Sequence, residues 1–255
     1  MRVSWAAASH TGLQRPNNED SYCARPDLGL FVVADGMGGH TAGEVASQTA
    51  VSVIADAMHR TATPDGQLTS SVSVESGLSL GANRLKAAFV EANHRISDLT
   101  TNNVKLTGMG TTATAMLVEG KRAVLAHVGD SRVYRLRHGC LERLTSDHSW
   151  VEEQVQSGAL SAAMANQHPW RNIVTRALSG DNNMEVDISE APLETGDRLL
   201  LCSDGLFAVL GDKGIERLLG LEDSLQQVCD VLVKEVNCGG GPDNVTVLAL
   251  EIDVT

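Results

Sequence analysis

Apolar runs of strand length, set between blocks with helical periodicity, constrain the fold of this 255-residue chain most strongly. The runs are rich in leucine and β-branched residues, and most end at Gly, Asp or Ser, as buried strands do. The predicted strands are Leu28–Ala34, Thr112–Val118, Ala123–Val128, Val133–Leu136, Leu199–Cys202 and Val245–Leu250. Apolar positions that recur every three or four residues predict helices over Gly43–His59, Ala82–Leu99, Trp150–Gln156, Ile215–Leu219 and Ser224–Val236.

The order of these elements predicts an α+β fold. The strands between Thr111 and Leu144 follow one another through short turns, which is typical of an antiparallel meander. The helices come in long blocks rather than after every strand, and this indicates sheets covered by helices. Loops are expected over Thr61–Ser73 and Cys238–Pro242, and no stretch has the composition of a domain linker. We therefore predict a single domain spanning residues 1–255.

Charge and cysteine usage exclude several classes of protein. The chain has 32 Asp and Glu against 20 Lys and Arg, a formal net charge of −12, which opposes binding to nucleic acid or to anionic membranes. Five widely spaced cysteines without a C-x-x-C or C-x5-R pattern indicate neither a disulfide framework, a zinc ribbon nor a cysteine-dependent phosphatase. Since no signal peptide and no run of ~18 apolar residues occurs, we predict a soluble cytoplasmic protein.

Acidic residues share one context at five places, next to predicted strands and mostly next to glycine. They are Glu19 with Asp20, Asp35 before Gly36, Asp130 after Gly129, Asp204 before Gly205, and Asp243 after three glycines and Pro242. A carboxylate at the end of a buried strand is partly desolvated, which is costly unless a cation or hydrogen-bond donors compensate. Such hard oxygen ligands suit Mg²⁺ or Mn²⁺. Each Asp taken singly also fits a turn or a helix cap, but five together favour a carboxylate cage.

These residues resemble the motifs of the metal-dependent serine/threonine protein phosphatases of type 2C, and the compact bacterial members most closely. Their order and spacing agree from about residue 5 to about residue 252. The matching motifs are Arg15-x-x-Asn18-Glu19-Asp20, Asp35-Gly36-Met37-Gly38-Gly39-His40, Gly129-Asp130-Ser131-Arg132, Ser203-Asp204-Gly205 and Pro242-Asp243-Asn244. The resemblance implies a four-layer α-β-β-α sandwich of two antiparallel sheets flanked by helix pairs, with a metal cleft at one end.

The resemblance also implies a role for each motif residue. Asp35 should bridge two Mn²⁺ or Mg²⁺ ions, and Gly36 should offer its backbone carbonyl to one of them. Asp204 and Asp243 should complete one metal site, and Glu19 should reach the other ion partly through water. Asp20 neighbours this ligand shell and is a further candidate metal ligand. Arg15 should bind the substrate phosphate, and Asp130 with Asp204 should hold a weaker third ion. The variable flap of the family corresponds to about residues 146–182.

A two-metal site of this kind hydrolyses a phosphate ester with a metal-activated water, so no serine or cysteine nucleophile is required. The function implied is hydrolysis of phosphoserine and phosphothreonine in proteins, opposing a serine/threonine kinase.

This chain departs from the family pattern at the position of the general acid. Relatives from eukaryotes have a histidine directly after the Asp-Gly pair, where this chain has Met37. His40 is the candidate that remains, and packing or capping of the following helix would explain it equally well.

Two other functions compete with this hypothesis. A metal-binding regulatory module with a dead active site would have lost a ligand Asp or Arg15, and none is lost. A two-metal hydrolase acting on small phosphoesters or nucleic acid is the second alternative, and the acidic composition opposes nucleic acid only.

The segment Thr145–Ser149 resembles a recurrent family segment, and a turn with a helix N-cap also accounts for it. A monomeric catalytic domain is expected.

Overall fold

The computed structural model describes residues 2–38, 42–62, 75–165 and 167–253. Within these ranges the strands form two antiparallel sheets, ordered β1-β11-β10-β7-β8 and β2-β3-β5-β6-β9, with β4 paired to β3. The strands are β1 Arg2–His10, β2 Asp20–Arg25, β3 Leu30–Met37, β4 Gly110–Thr111, β5 Ala113–Glu119, β6 Arg122–Val128, β7 Arg132–Arg137, β8 Cys140–Arg143, β9 Asp187–Pro192, β10 Arg198–Cys202 and β11 Val245–Asp253.

Helices cover the outer faces of both sheets. The helices are α1 Ala42–Thr61, α2 Leu80–Asn102, α3 Trp150–Gln156, α4 Ala162–Ala165, α5 Asp204–Leu219 and α6 Leu225–Cys238, with a 3-10 turn at Val104–Leu106. The pair α1 and α2 packs on the β2-containing sheet, and α5 and α6 pack on the β1-containing sheet. The predicted four-layer α-β-β-α sandwich is confirmed. None of the helices in the described ranges is both long and apolar enough to span a bilayer.

The sandwich buries three apolar layers, because each sheet is covered on both faces. Phe31, Val33 and Met116 meet Leu201 and Leu248 between the two sheets. A second layer, which includes Ile54 and Phe89, lies under α1 and α2, and a third lies under α5 and α6. Burial of this apolar area is the main term that stabilises the fold.

The connection after β6 differs from the meander expected between Thr111 and Leu144. Strands β5 and β6 pair in one sheet, whereas β7 and β8 pair in the other. Residues 129–131 therefore cross from one sheet to the other. The predicted meander is wrong at this point, because periodicity along the chain does not show which sheet a strand joins.

Other elements were predicted with shifted bounds or missed. Helix α5 begins at Asp204 rather than at Ile215, and Gly211 interrupts it with φ of 60°. Helix α3 has the predicted bounds and begins after Ser149, whose side chain accepts a hydrogen bond from the Glu152 amide. The expected loop at Thr61–Ser73 lies mostly outside the described residues. Whether residues 1–255 form a single domain with a flap at about 146–182 stays a prediction.

Candidate active site

A cavity of about 430 Å³ opens where strands of both sheets end. Its lining comes from the carboxyl end of β3, the connection after β6, the start of α5 and the residues just before β2 and β11. Seven of the predicted site residues line it: Arg15, Glu19, Asp35, Gly36, Asp130, Asp204 and Asp243. A slightly larger and more open groove of about 500 Å³ runs beside α6, and Asp230 is the carboxylate in its described lining. The concentration of acidic groups marks the smaller cavity as the candidate site.

Two threonines fix the backbone of Asp35 at the cavity floor. The Asp35 amide donates to Thr112 Oγ1 at 3.0 Å, and the Thr112 amide donates to the Asp35 carbonyl at 2.9 Å. The Thr111 hydroxyl donates to the same carbonyl at 2.8 Å. Thr111 and Thr112 thus hold a predicted ligand in place. Burial, followed by the charges of Asp20 and Asp204, raises the pKa of Asp35 well above its ordinary value.

Gly36 lies where any side chain would collide with backbone. A Cβ at this position would stand 2.1 Å from the Gly43 carbonyl oxygen and 2.7 Å from that of Glu19. The Gly36 amide donates to the Glu19 carbonyl at 3.1 Å. Glu19 is therefore held beside Asp35, and burial raises the pKa of its carboxyl group. The close approach explains why glycine follows Asp35.

Asp204 and Asp243 approach the cavity from the other sheet. A Cβ at Gly205 would stand 2.0 Å from the Asn244 carbonyl oxygen, so the first turn of α5 lies directly against the start of β11. Burial, and then the charge of Asp243, raises the pKa of Asp204 to about 6. Arg15 Nη2 contacts Asp243 Oδ2 at 2.7 Å, and this hydrogen bond raises the pKa of Arg15.

Asn244 organises the loop that carries Arg15 and Glu19. Its side-chain amide donates to the carbonyls of Thr11 and Asn17, both at 2.8 Å, and its Oδ1 accepts from the Glu19 amide at 2.8 Å. The sequence placed Asn244 in a motif without a role. Its contacts span more than 200 residues of chain, and composition or spacing does not reveal such contacts.

Asp20 and His40 are the two predicted residues that the structure does not bring into the described cavity lining. Asp20 faces Asp35 across the β2–β3 ladder, accepts from the Ser203 hydroxyl at 2.7 Å and borders a neighbouring groove instead. Its Oδ1 is buried without a hydrogen-bond partner among the described atoms, and burial raises its pKa to about 7. His40 lies outside the described residues. Met37, in contrast, lines the cavity.

The charges of this site call for a cation. Five carboxylates line the cavity, and Arg15 is the basic side chain in its described lining. Burial raises the pKa of Asp130 to about 8, and the neighbouring charge of Asp204 adds to the effect. No three acidic, histidine or cysteine side chains in the described ranges converge on one metal position. Divalent ions that keep several waters as ligands fit carboxylates spread around a cavity in this way.

Comparison with known proteins decides the family. The family pattern described as Protein phosphatase 2C matches residues 8–238. The chain belongs to the protein phosphatase 2C family. This membership confirms the predicted resemblance and enzyme class: the chain is a serine/threonine protein phosphatase.

Similar proteins of the protein phosphatase 2C family come from several bacteria. The serine/threonine phosphatase stp of Listeria monocytogenes serotype 4b is 38% identical over 96% of this chain and 94% of that protein. The serine/threonine protein phosphatase PstP of Mycobacterium tuberculosis is 38% identical over 98% of this chain, which spans 45% of PstP.

Solved structures of the family have the same fold. The crystal structure of Mycobacterium tuberculosis PstP/Ppp matches with a TM-score of 0.86 at 38% identity, covering 98% of this chain and 99% of that one. The PstP catalytic domain in complex with two manganese ions matches with a TM-score of 0.83 at 37% identity, with the same coverage.

Proposed function

We propose that this phosphatase hydrolyses phosphoserine and phosphothreonine in proteins with two divalent ions, Mn²⁺ or Mg²⁺, in the described cavity. The carboxylates of Asp35, Asp204, Asp243 and Glu19 and the carbonyl of Gly36 are the proposed ligands. A single observation carries the proposal: five carboxylates from both sheets share one cavity with one arginine. The two manganese ions in the PstP catalytic domain support it. Asp20 pairs with Asp35 across the β2–β3 ladder, and we propose that it acts on the ions through Asp35.

Bound divalent ions supply a water of lowered pKa and offset negative charge on the phosphoryl oxygens. The chain contributes the remaining parts. Arg15 has a side chain that is 53% exposed at the cavity, so a substrate phosphate can reach its guanidinium and accept charge-assisted hydrogen bonds. Thr111 and Thr112 keep the Asp35 backbone fixed, so its carboxylate needs little reorganisation. Asp130, with Asp204, is the proposed ligand of a weaker third ion, and His40 stays the predicted candidate for the general acid.

The proposed substrates are phosphorylated proteins, with a serine/threonine kinase as the opposing partner. Asn172 and Val174 of the flap segment, residues 146–182, line the cavity, so a phosphoprotein bound there touches this segment. We further propose a monomer in the cytoplasm, without nucleic-acid or membrane partners. The net charge of −12 opposes nucleic-acid and membrane partners. The five free cysteines support the proposed location, because a reducing compartment keeps thiols unpaired.

One experiment separates this proposal from the small-phosphoester alternative. We expect purified protein with Mn²⁺ to turn over a phosphothreonine peptide with a higher kcat/KM than a small aryl phosphate. Chelation of the metal should abolish both reactions, and added Mn²⁺ should restore them. Turnover of the aryl phosphate alone would contradict the proposed protein substrate, and turnover in excess chelator would contradict the metal sites.

A further inference from the structure

The turn that carries Asp130 is held at both ends by the segment Thr145–Ser149. At its carboxyl end, Arg132 donates to both carboxylate oxygens of Asp147, with Nη2–Oδ2 at 2.6 Å and Nε–Oδ1 at 2.9 Å. Asp147 is 8% exposed, so this bidentate pair is shielded from solvent. The segment therefore fixes the residue that follows the turn.

His148 holds the other end of the turn through Gly129. The His148 amide donates to the Gly129 carbonyl at 2.7 Å, and the Gly129 amide donates to Nδ1 of the His148 ring at 3.0 Å. A nitrogen that accepts an N–H carries no proton, so the neutral ring is protonated at Nε2. That nitrogen lies 3.1 Å from Asp187 Oδ2, which accepts its hydrogen.

Gly129 lacks the side chain that would restrict its backbone, so the hydrogen bond from its amide to His148 Nδ1 helps to fix its orientation. Its φ of +112° lies in the region that favours glycine, and a Cβ there would stand 2.5 Å from the Thr112 side chain. Asp130 is the next residue and is 7% exposed in the cavity lining. Rotation of the Gly129 peptide would therefore move Asp130 directly.

We propose that His148 is a positioning residue for Asp130. Its Nε2–H tautomer, fixed by Asp187, holds the Gly129 amide so that the Asp130 carboxylate faces the cavity. This inference rests on the proposed function of Asp130 as a ligand of the weaker ion. Asp187 also accepts from Arg176 Nη1 at 3.1 Å, so the flap segment and the Asp130 turn share one carboxylate.

A neighbouring histidine provides a matched control. His127 is buried against His148 with ring centroids 4.8 Å apart. Its nitrogens face Thr114 Oγ1 at 2.8 Å and the Ser146 carbonyl at 3.1 Å, not the Gly129 amide. Replacement of His127 thus disturbs the same ring pair without removing the acceptor of the turn.

The first test measures the tautomer without metal or turnover. In ¹⁵N-labelled protein held in chelator, the imidazole nitrogen shifts of His148 should show an unprotonated Nδ1 and a protonated Nε2. Asp187→Ala should mix the two tautomers, since it removes the acceptor for Nε2–H. A protonated Nδ1 in the unmodified chain would overturn the proposal and leave the proposed phosphatase function standing.

The second test measures the Mn²⁺ concentration that gives half-maximal turnover of a phosphothreonine peptide. Loss of a group that orients a metal ligand costs about 10–100-fold in metal affinity or activity. His148→Gln and His148→Ala should therefore raise this concentration about 10-fold or more, while calorimetry shows the tight pair of ions unchanged. His148→Asn keeps an acceptor near Nδ1 and should recover most of the loss, and His127→Asn should not shift the Mn²⁺ requirement.

The double variant with Asp130→Asn distinguishes positioning from general destabilisation. If His148 acts through Asp130, then His148→Gln should cause no further loss of turnover in the Asp130→Asn background. Losses that multiply, or an equal Mn²⁺ shift in His127→Asn, would overturn the proposal. An unmodified chain that hydrolyses no phosphothreonine peptide would instead contradict the proposed function, and the nitrogen shifts would still decide the role of His148 at Gly129.

Discussion

Arg15 contacts a carboxylate that we assign to a metal ion. The ion pair with Asp243 at 2.7 Å means that the guanidinium stabilises Asp243 when no cation does. Arg15 and a divalent ion therefore compete for the same charge. This competition links phosphate binding to metal binding at the level of two side chains.

Arg15→Ala should lower kcat/KM for a phosphothreonine peptide by about 10–100-fold, the size of a lost hydrogen bond to a charged group. The same variant should bind the tight metal pair more strongly, because Asp243 loses its competing partner. Steady-state kinetics and calorimetry measure the two effects separately. Arg15→Lys should recover only part of the substrate effect, since lysine cannot donate in a bidentate manner. Weaker metal binding in Arg15→Ala would contradict the competition.

Asp35→Asn should lower turnover by at least about 10²–10³-fold, the usual loss when one charge-stabilising group is removed. The metal-free variant should unfold at no lower temperature than the unmodified protein at pH 8, because a neutral amide avoids the cost of ionising a buried carboxyl group. Mn²⁺ should then give little thermal stabilisation. Asp56→Asn, an exposed position on α1, serves as the control for loss of one charge. Full activity of Asp35→Asn would rule out the two-metal assignment.

The elements of the fold differ in how well the sequence predicts them. The central strands β3, β5, β6, β10 and β11 are continuous apolar runs, and each was predicted within a few residues. Strand β1 was missed because it is alanine-rich and half exposed, and it forms through nine paired residues with β11. Strand β9 contains Asp, Ser, Glu and Pro and lies at a sheet edge. Such strands are set by tertiary pairing rather than by local propensity.

The residues of the candidate site also divide into those that the local sequence predicts and those that only tertiary contacts reveal. The motif carboxylates stand next to glycines and strand ends, so residue type and resemblance were enough to select them. The roles of Asn244, Asp147 and His148 depend on hydrogen bonds to groups that are distant along the chain. Asn244 contacts residues 11, 17 and 19, and His148 contacts Gly129. No periodicity in the chain encodes such pairings.

The contact between the start of α5 and the start of β11 can be tested by substitution of Gly205. Gly205→Ala would place a Cβ 2.0 Å from the Asn244 carbonyl oxygen and so separate α5 from β11. Overpacking of this kind costs about 1–3 kcal/mol, and it should also displace Asp204 from Asp243. We expect a lower melting temperature and weaker metal binding by calorimetry. Gly77→Ala, which meets open space, is the matched control and should leave both values unchanged. An unaffected Gly205→Ala would contradict the close approach.

At the scale of the whole molecule, the site lowers the stability of the metal-free protein. Burial raises the pKa of Asp130 to about 8 and that of Asp204 to about 6. A carboxyl whose pKa is higher in the folded than in the unfolded state favours folding below about pH 4. That contribution is lost as the pH rises toward the folded-state value.

The metal-free protein should therefore melt at a lower temperature at pH 8 than at pH 5.5, by roughly 2–4 °C for each kcal/mol lost. Saturating Mn²⁺ should raise the melting temperature, and more at pH 8, because it binds the ionised carboxylates of the folded state only. Scanning calorimetry in chelator and in Mn²⁺ measures both effects. Asp130→Asn should reduce the fall between the two pH values. A metal-free protein that is more stable at pH 8 would contradict the raised pKa values of these buried carboxyl groups.

The division of the site between the two sheets has a mechanical consequence. Asp35 and Gly36 lie on β3 and Glu19 comes just before β2, so all three are held by the β2-containing sheet. Asp204 and Asp243 flank β10 and β11 of the other sheet. The spacing between the two groups of ligands is therefore set by the thickness of the apolar layer between the sheets, around Phe31 and Leu248. Slippage of one sheet over the other would change the width of the site without altering any residue in it. The packing of side chains between the sheets thus sets the distance across which the proposed metal ions are held.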